Sequence, residues 1–347
     1  MIVLPYLAHR PRLGDGISAA ADAVVIGRAA VGLRCHFGQL ATVRADGEDI
    51  RIGADCWFAD FSTVHIAHSV FPAVVADGCS VARYALVHAC NLASGVVLGE
   101  NAVVMDNTQV GAGAVIAADS IVPPGKTLAG GWLYAGKPAK AVREVGAAEL
   151  AALHARVRGG TLAHPVIDAI VLSATPVAAL RQLPGSGIAG IRADGAYVAP
   201  TASLTGVVQL AAQASIWFGV EIIGSGATLD IGAGSNVQDN TRIVLNPGER
   251  VRLGRRVTVG HNVRMAACDI GDEALVGMGS QVGAGTVVGA GGVIAAGAVT
   301  APGTVVAAGE IWAGVPAQRW KPLPPENRAM FARGAAAYIE YAGNYAR

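Results

Sequence analysis

The sequence predicts a mainly β protein of two tandem β-helix domains, each with a flanking C-terminal α-helix. Three observations predict it. Apolar residues recur every six positions, a period that belongs neither to a helix nor to a simple strand. The pattern occurs twice, with the same interruptions in each copy, and both copies end in the same tail motif. A chain of 347 residues also has room for about two domains of ordinary size.

The second copy shows the period plainly. Ile231, Val237 and Ile243 fall six apart, and after a short insertion come Leu253, Val259 and Met265. The phase then slips by one and runs Ile270, Val276, Val282, Val288 and Ile294, with glycine often next. One inward apolar residue per six, with Gly or Asn at the turn, suits a triangular coil made of three such units. The pattern resembles the hexapeptide repeat of left-handed parallel β-helices, and that resemblance implies the hand.

The first copy repeats it. Ile52, Phe58 and Val64 precede an insertion, and Val75, Val81 and Val87 precede the same slip. Leu92, Leu98, Val104, Val110, Ile116 and Val122 follow. Ile52 and Ile231 are 179 residues apart, Val75 and Leu253 are 178, so the second insertion is one residue shorter. A shared insertion and a shared slip imply internal duplication. The Trp-Leu-Tyr-Ala-Gly-Lys-Pro-Ala of 132–139 returns as Ile-Trp-Ala-Gly-Val-Pro-Ala at 311–317. Helices are expected after each tail, over 147–157 and 325–346, packing on the β-helix flank. The expected organisation is a first domain over 1–157, a Pro/Gly/Ala-rich linker over 158–194 and a second domain over 195–347.

Composition narrows the function. A net charge of +1 gives no support for a nucleic-acid or membrane-surface partner. No run of about 18 apolar residues escapes interruption by Gly, Asp, Asn or Arg. The start lacks a basic segment followed by a long apolar stretch, so no signal peptide is expected. Five cysteines without CxxC spacing read as reduced core fillers, and the expected location is cytoplasmic.

Polar residues break the apolar rule at fixed turns. The second copy has Asn236-Val237-Gln238-Asp239-Asn240, then Gly260-His261-Asn262. The first has Arg44-Ala45-Asp46, then Asp60, His65 and His88-Ala89-Cys90. Together these resemble the γ-class carbonic anhydrase pattern: an Arg-Gly-Asp-like turn, a Gln-Asp-Asn turn, a following His, a Gly-His pair and a His-Gly-Cys-like turn. In that family two histidines of one subunit and one of its neighbour in a trimer hold zinc. The site is open and tetrahedral, and its water ionises near neutral pH and attacks carbon dioxide.

The resemblance carries over residue by residue. The first family histidine falls on His65 and, in the second copy, on Val244. The Gly-His histidine falls on Arg83 and His261, and the third on His88 and Ala266. The first copy therefore keeps two ligands and the second keeps the one that a neighbour donates. His65, His88 and His261 make one full set for zinc. By the same resemblance Arg44 and Asp46 form an interface ion pair, and Asp60, Gln238 and Asp239 position the ligands and the water. The family's turn glutamine is Ala59 in the first copy, and its proton-transfer loop has no counterpart beyond His68.

Three function classes stay open. The first is a zinc-dependent lyase acting on carbon dioxide and bicarbonate, a homo-oligomer with β-helix domains in trimeric rings. Unmixed rings would leave each half-site incomplete, with the cation Arg83 repelling metal, whereas a ring of two first copies and one second closes one full site. The second is an inactive carbonic anhydrase-like scaffold or binding subunit. The third is a hexapeptide-repeat acyltransferase using coenzyme A, for which no acceptor-shaping extra domain is evident.

Overall fold

A computed structural model describes residues 1–68, 70–159 and 192–346. Most of the expected linker, with His164, lies outside the described residues. The chain divides into two compact units, Met1–Leu180 and Arg181–Arg347.

Each unit is a β-helix of two- to four-residue strands stacked parallel and in register, with a few longer strands. In unit 1, one face climbs through His36–Phe37, Trp57–Phe58, Ser80–Val81, Val97–Leu98 and Val115–Ile116 to Trp132–Gly136. The antiparallel strand Ala139–Glu144 closes that face. The other two faces merge into one sheet, because Val24–Val31 and Thr42–Ile52 pass round a corner unbroken. In unit 2 the three faces are separate sheets of 8, 6 and 5 strands.

The register explains the interruptions in the period. Phe58 pairs with Val81, 23 residues on; Val81 pairs with Leu98, 17 on; Leu98 pairs with Ile116, 18 on. In unit 2, Val237 pairs with Val259, 22 on; Val259 with Val276, 17 on; Val276 with Ile294, 18 on. An 18-residue coil is three six-residue units. The insertion makes one long coil and the slip makes the next one short, in the same order in both units. Lys137-Pro138 and Val315-Pro316 are cis at matching places in the closing hairpins.

The period-six residues line the two cores. Phe58, Val81, Val87, Leu98, Val104 and Ile116 are buried in unit 1, and Val237, Val259, Met265, Val276 and Ile294 in unit 2. Burying such a side chain stabilises by about 1.5–3 kcal/mol each. Parallel stacking supplies the backbone partners, so the chain needs no alternating polar face to fold.

Corners turn through the left-handed region. Gly95, Asn101 and Asn107 do so as expected. Phe61 (φ 58°) and Tyr84 (φ 56°) do so as well, where the repeat favours Gly or Asn and where unit 2 has Asn240 and Asn262. Their rings stack with centroids 4.7 Å apart at 12°. Such a stack contributes about 0.5–1.5 kcal/mol, enough to offset much of the cost of one strained residue.

Two helices flank the coils. α1 (Ala147–Val157) sets Ala152 and Leu153 on the outward side chains of Val97, Val115 and Leu133. His154 Nδ1 lies 2.8 Å from Ser80 Oγ, and its Nε2 donates to the Gly95 carbonyl at 3.1 Å. α2 (Pro325–Tyr345) sets Tyr338, Tyr341 and Tyr345 edge-on to Trp217. No helix of the described residues is long and apolar enough to cross a membrane.

Candidate metal centre

In unit 1 three successive coils bring Arg44, His65 and His88 into register on one face. All three are buried, with Arg44 and Asp46 no more than 1% exposed. Each follows an inward valine (Val43, Val64, Val87), so each starts the corner where the chain leaves the core. The insertions fall directly after this point, as 66–72 between the strands Thr63–His65 and Ala73–Val75. His68 sits half-buried in that loop.

The two imidazoles are oriented from behind. Asp46 Oδ1 accepts from His65 Nε2 at 3.2 Å, while its other oxygen takes the Arg44 guanidinium. Asp106 Oδ1 accepts from His88 Nδ1 at 2.5 Å. A proton held at each of these nitrogens leaves a lone pair on His65 Nδ1 and on His88 Nε2, and those atoms face each other at 3.4 Å. A carboxylate behind each histidine fixes ring orientation and raises ligand basicity.

At the Gly-His position unit 1 has Arg83, whose Nε donates to Glu100 at 3.0 Å. Its charge is neutralised within the unit, and the pair holds the guanidinium in a raised pKa. Asp60 accepts the Gln39 backbone N–H at 2.7 Å. This bond ties one corner to the next. Burial pushes the Cys90 thiol well up, which suits a filler and not a nucleophile.

Unit 2 carries the Gln-Asp-Asn turn and the Gly-His histidine. Asp239 Oδ1 accepts the Phe218 N–H at 3.0 Å, the same tie that Asp60 makes. Its Oδ2 lies 3.1 Å from His261 Nδ1. That contact lacks hydrogen-bond geometry, and the hydrogen bond of the ring runs between Nε2 and the Tyr338 hydroxyl at 3.2 Å. Gln238 is buried; its Nε2 donates to Asn236 at 3.1 Å, and its Oε1 has no partner among the described residues. Val244, at the first histidine position, is 47% exposed and offers no donor atom.

No family model matches the chain. It is 33% identical over 158 residues to the protein YrdA of Escherichia coli, covering 86% of that protein and 44% of this chain. It is 46% identical over 158 residues to the mitochondrial γ-carbonic anhydrase 3 of Arabidopsis thaliana. The chain belongs to the γ-carbonic anhydrase-like family of hexapeptide-repeat proteins. It spans 61% of the plant relative's length. Over 99% of its length it also shares a fold with a solved protein from Desulfovibrio desulfuricans proposed to be an acetyltransferase, at a TM-score of 0.56 and 13% identity. That likeness is one of fold alone.

For a γ-carbonic anhydrase-like chain the question is whether the residues fit a metal. Two nitrogens bound at about 2.0–2.1 Å to one tetrahedral ion sit roughly 3.3 Å apart. The 3.4 Å between His65 and His88 matches that spacing. It is long for a hydrogen bond between two ring nitrogens, where about 3 Å is usual. Gln238 adds an oxygen that has lost water and gained nothing, a cost of about 1–3 kcal/mol unless some polar group comes to it. The facing nitrogens of unit 1 therefore fit a divalent ion by their spacing.

Two contributors escaped the sequence reading. Asp106 lies 18 residues after His88, which places it beside that histidine on the next coil. Tyr338, on the helix expected only to pack on the flank, bonds His261 from 77 residues away. No periodicity links a helix residue to a coil that distant.

Proposed function

We propose that the protein is a zinc-dependent lyase of the carbonic anhydrase type, acting on carbon dioxide and bicarbonate. His65 and His88 of a first unit and His261 of a second unit, from the same chain or another copy, hold one ion. The domains would assemble as trimeric rings in a homo-oligomer. The observation that carries this reading is the 3.4 Å facing pair of His65 Nδ1 and His88 Nε2, each backed by a carboxylate.

When bound, the ion supplies Lewis acidity that lets water ionise near neutral pH, and three protein ligands leave one position open. The residues of the chain do the rest. Asp46 and Asp106 hold the protons on the rear nitrogens of His65 and His88, so that each imidazole keeps one lone pair for the ion, and the Asp239 charge 3.1 Å from His261 Nδ1 favours the same arrangement there. Arg44 pairs with Asp46 in its buried position, so that neither charge is buried without a counter-ion. Gln238 Oε1 is free to accept a hydrogen bond and so to orient an incoming water. The proton released must leave through solvent or a group such as His68.

Stopped-flow hydration of carbon dioxide by the zinc-loaded protein tests this. The expected result is catalysis above the buffer rate, abolished in His261→Ala and reduced at least ten-fold in Gln238→Ala. A zinc-loaded wild type no faster than buffer would leave the chain a binding subunit.

A further inference from the structure

The nitrogen of His261 that would receive a metal is already occupied. The Asp239 carboxylate lies 3.1 Å from Nδ1, and although the contact lacks hydrogen-bond geometry its charge favours the proton on that nitrogen and the lone pair on Nε2, which the Tyr338 hydroxyl approaches to 3.2 Å. One lone pair accepts a hydroxyl proton or binds a cation, not both. A metal–nitrogen bond of about 2.0–2.1 Å would put the ion where the hydroxyl hydrogen now lies, so the oxygen must move aside.

Tyr338 is not a loose side chain. Its ring meets Trp217 edge-on at 5.1 Å and Tyr341 edge-on at 5.6 Å. On α2, burial is confined to the C-terminal half, at Ala335, Ala337, Tyr338, Tyr341 and Ala342. Residues 325–334 are exposed or half-buried. Ile339 packs against the corner at Gly234, where an added Cβ would lie 3.1 Å from its Cδ1. The hydroxyl can leave His261 only if the ring shifts within this cluster or the helix shifts with it.

We propose that Tyr338 is a displaceable cap on the third ligand, so that metal loading at His261 and the seating of α2 oppose each other. This rests on the three-histidine reading above. The cap keeps a buried nitrogen satisfied before metal arrives, and it makes the position of α2 report on occupancy.

The test uses the full chain, stripped of metal and titrated with zinc against a chromophoric chelator. Tyr338→Phe keeps the ring and loses only the hydroxyl, and it is expected to bind zinc about five-fold more tightly, the effect of one neutral hydrogen bond. Hydrogen exchange over 335–345 is expected to rise on zinc binding in the wild type and to be indifferent to zinc in His261→Ala. Equal or weaker binding by Tyr338→Phe overturns the cap and leaves the three-histidine site standing. Absence of zinc from wild type and Tyr338→Phe alike overturns both.

Discussion

His65 and His88 stand in register on adjacent coils, with Nδ1 of the first 3.4 Å from Nε2 of the second. Two lone pairs so placed repel unless something positive lies between them. A proton or a metal ion meets that need, and the spacing favours the metal. The carboxylates behind the rings decide which nitrogens face inward.

Asp106 is therefore a strong test of how the site is tuned. Asp106→Asn should leave the fold intact, because the side chain is partly exposed at the corner. It should weaken zinc binding by about 10–100-fold, the usual effect of removing a carboxylate behind a ligating histidine. Chelator competition measures it, and unchanged affinity would show that Asp106 does not set the His88 tautomer.

Arg44 and Asp46 are both buried to zero side-chain exposure and bonded to each other. Arg44→Ala leaves an uncompensated carboxylate and is expected to cost about 3–5 kcal/mol in urea unfolding. Arg44→Met combined with Asp46→Leu should recover most of that stability. The double variant should still bind zinc poorly, since His65 loses the acceptor that fixes its ring. Full recovery of both properties would make the pair a packing element only.

How much of this was legible beforehand depends on how local the cause was. The six-residue period predicted the core, because each inward residue is set by coil geometry alone; Val81, Leu98, Val259 and Val276 are all buried. The shared slip was visible and became the 17-residue coil of both units. His65 and His88 were found by motif, and their facing geometry follows from the long coil that separates them. Asp106 was missed although an 18-residue step would have reached it. Phe61 and Tyr84 were unforeseen in left-handed corners, since the ring stack that offsets part of their strain joins two coils and leaves no local signal. Tyr338 depends on where a helix docks, which no repeat encodes.

His154 fastens α1 in its neutral form. Burial first, and then the charge of Arg158, lower its pKa from the usual value. Ser80 Oγ, the Gly95 carbonyl and Arg158 are the polar groups around it. The unfolded chain then binds more protons than the folded one, so this contribution is complete above about pH 6.5 and is lost as pH falls below it. The urea midpoint should decline between pH 7.5 and 5.5, and decline less in His154→Leu. Equal declines would remove His154 from the account.

The five cysteines are free and buried. Burial pushes the Cys268 thiol up to about 12 and holds Cys90 well above its usual value. A thiol-specific chromogenic reagent should find none of the five in the native protein at pH 8 and all of them after unfolding. Rapid native labelling of any would show an opening that the coils do not provide.

The most direct test of the central claim is metal content per chain, measured on protein purified without chelators, for wild type, His65→Ala, His88→Ala and His261→Ala. About one zinc per chain, or a constant fraction of one, is expected in the wild type and is expected to be lost in all three variants. Zinc retained in His261→Ala, or none in the wild type, would contradict it.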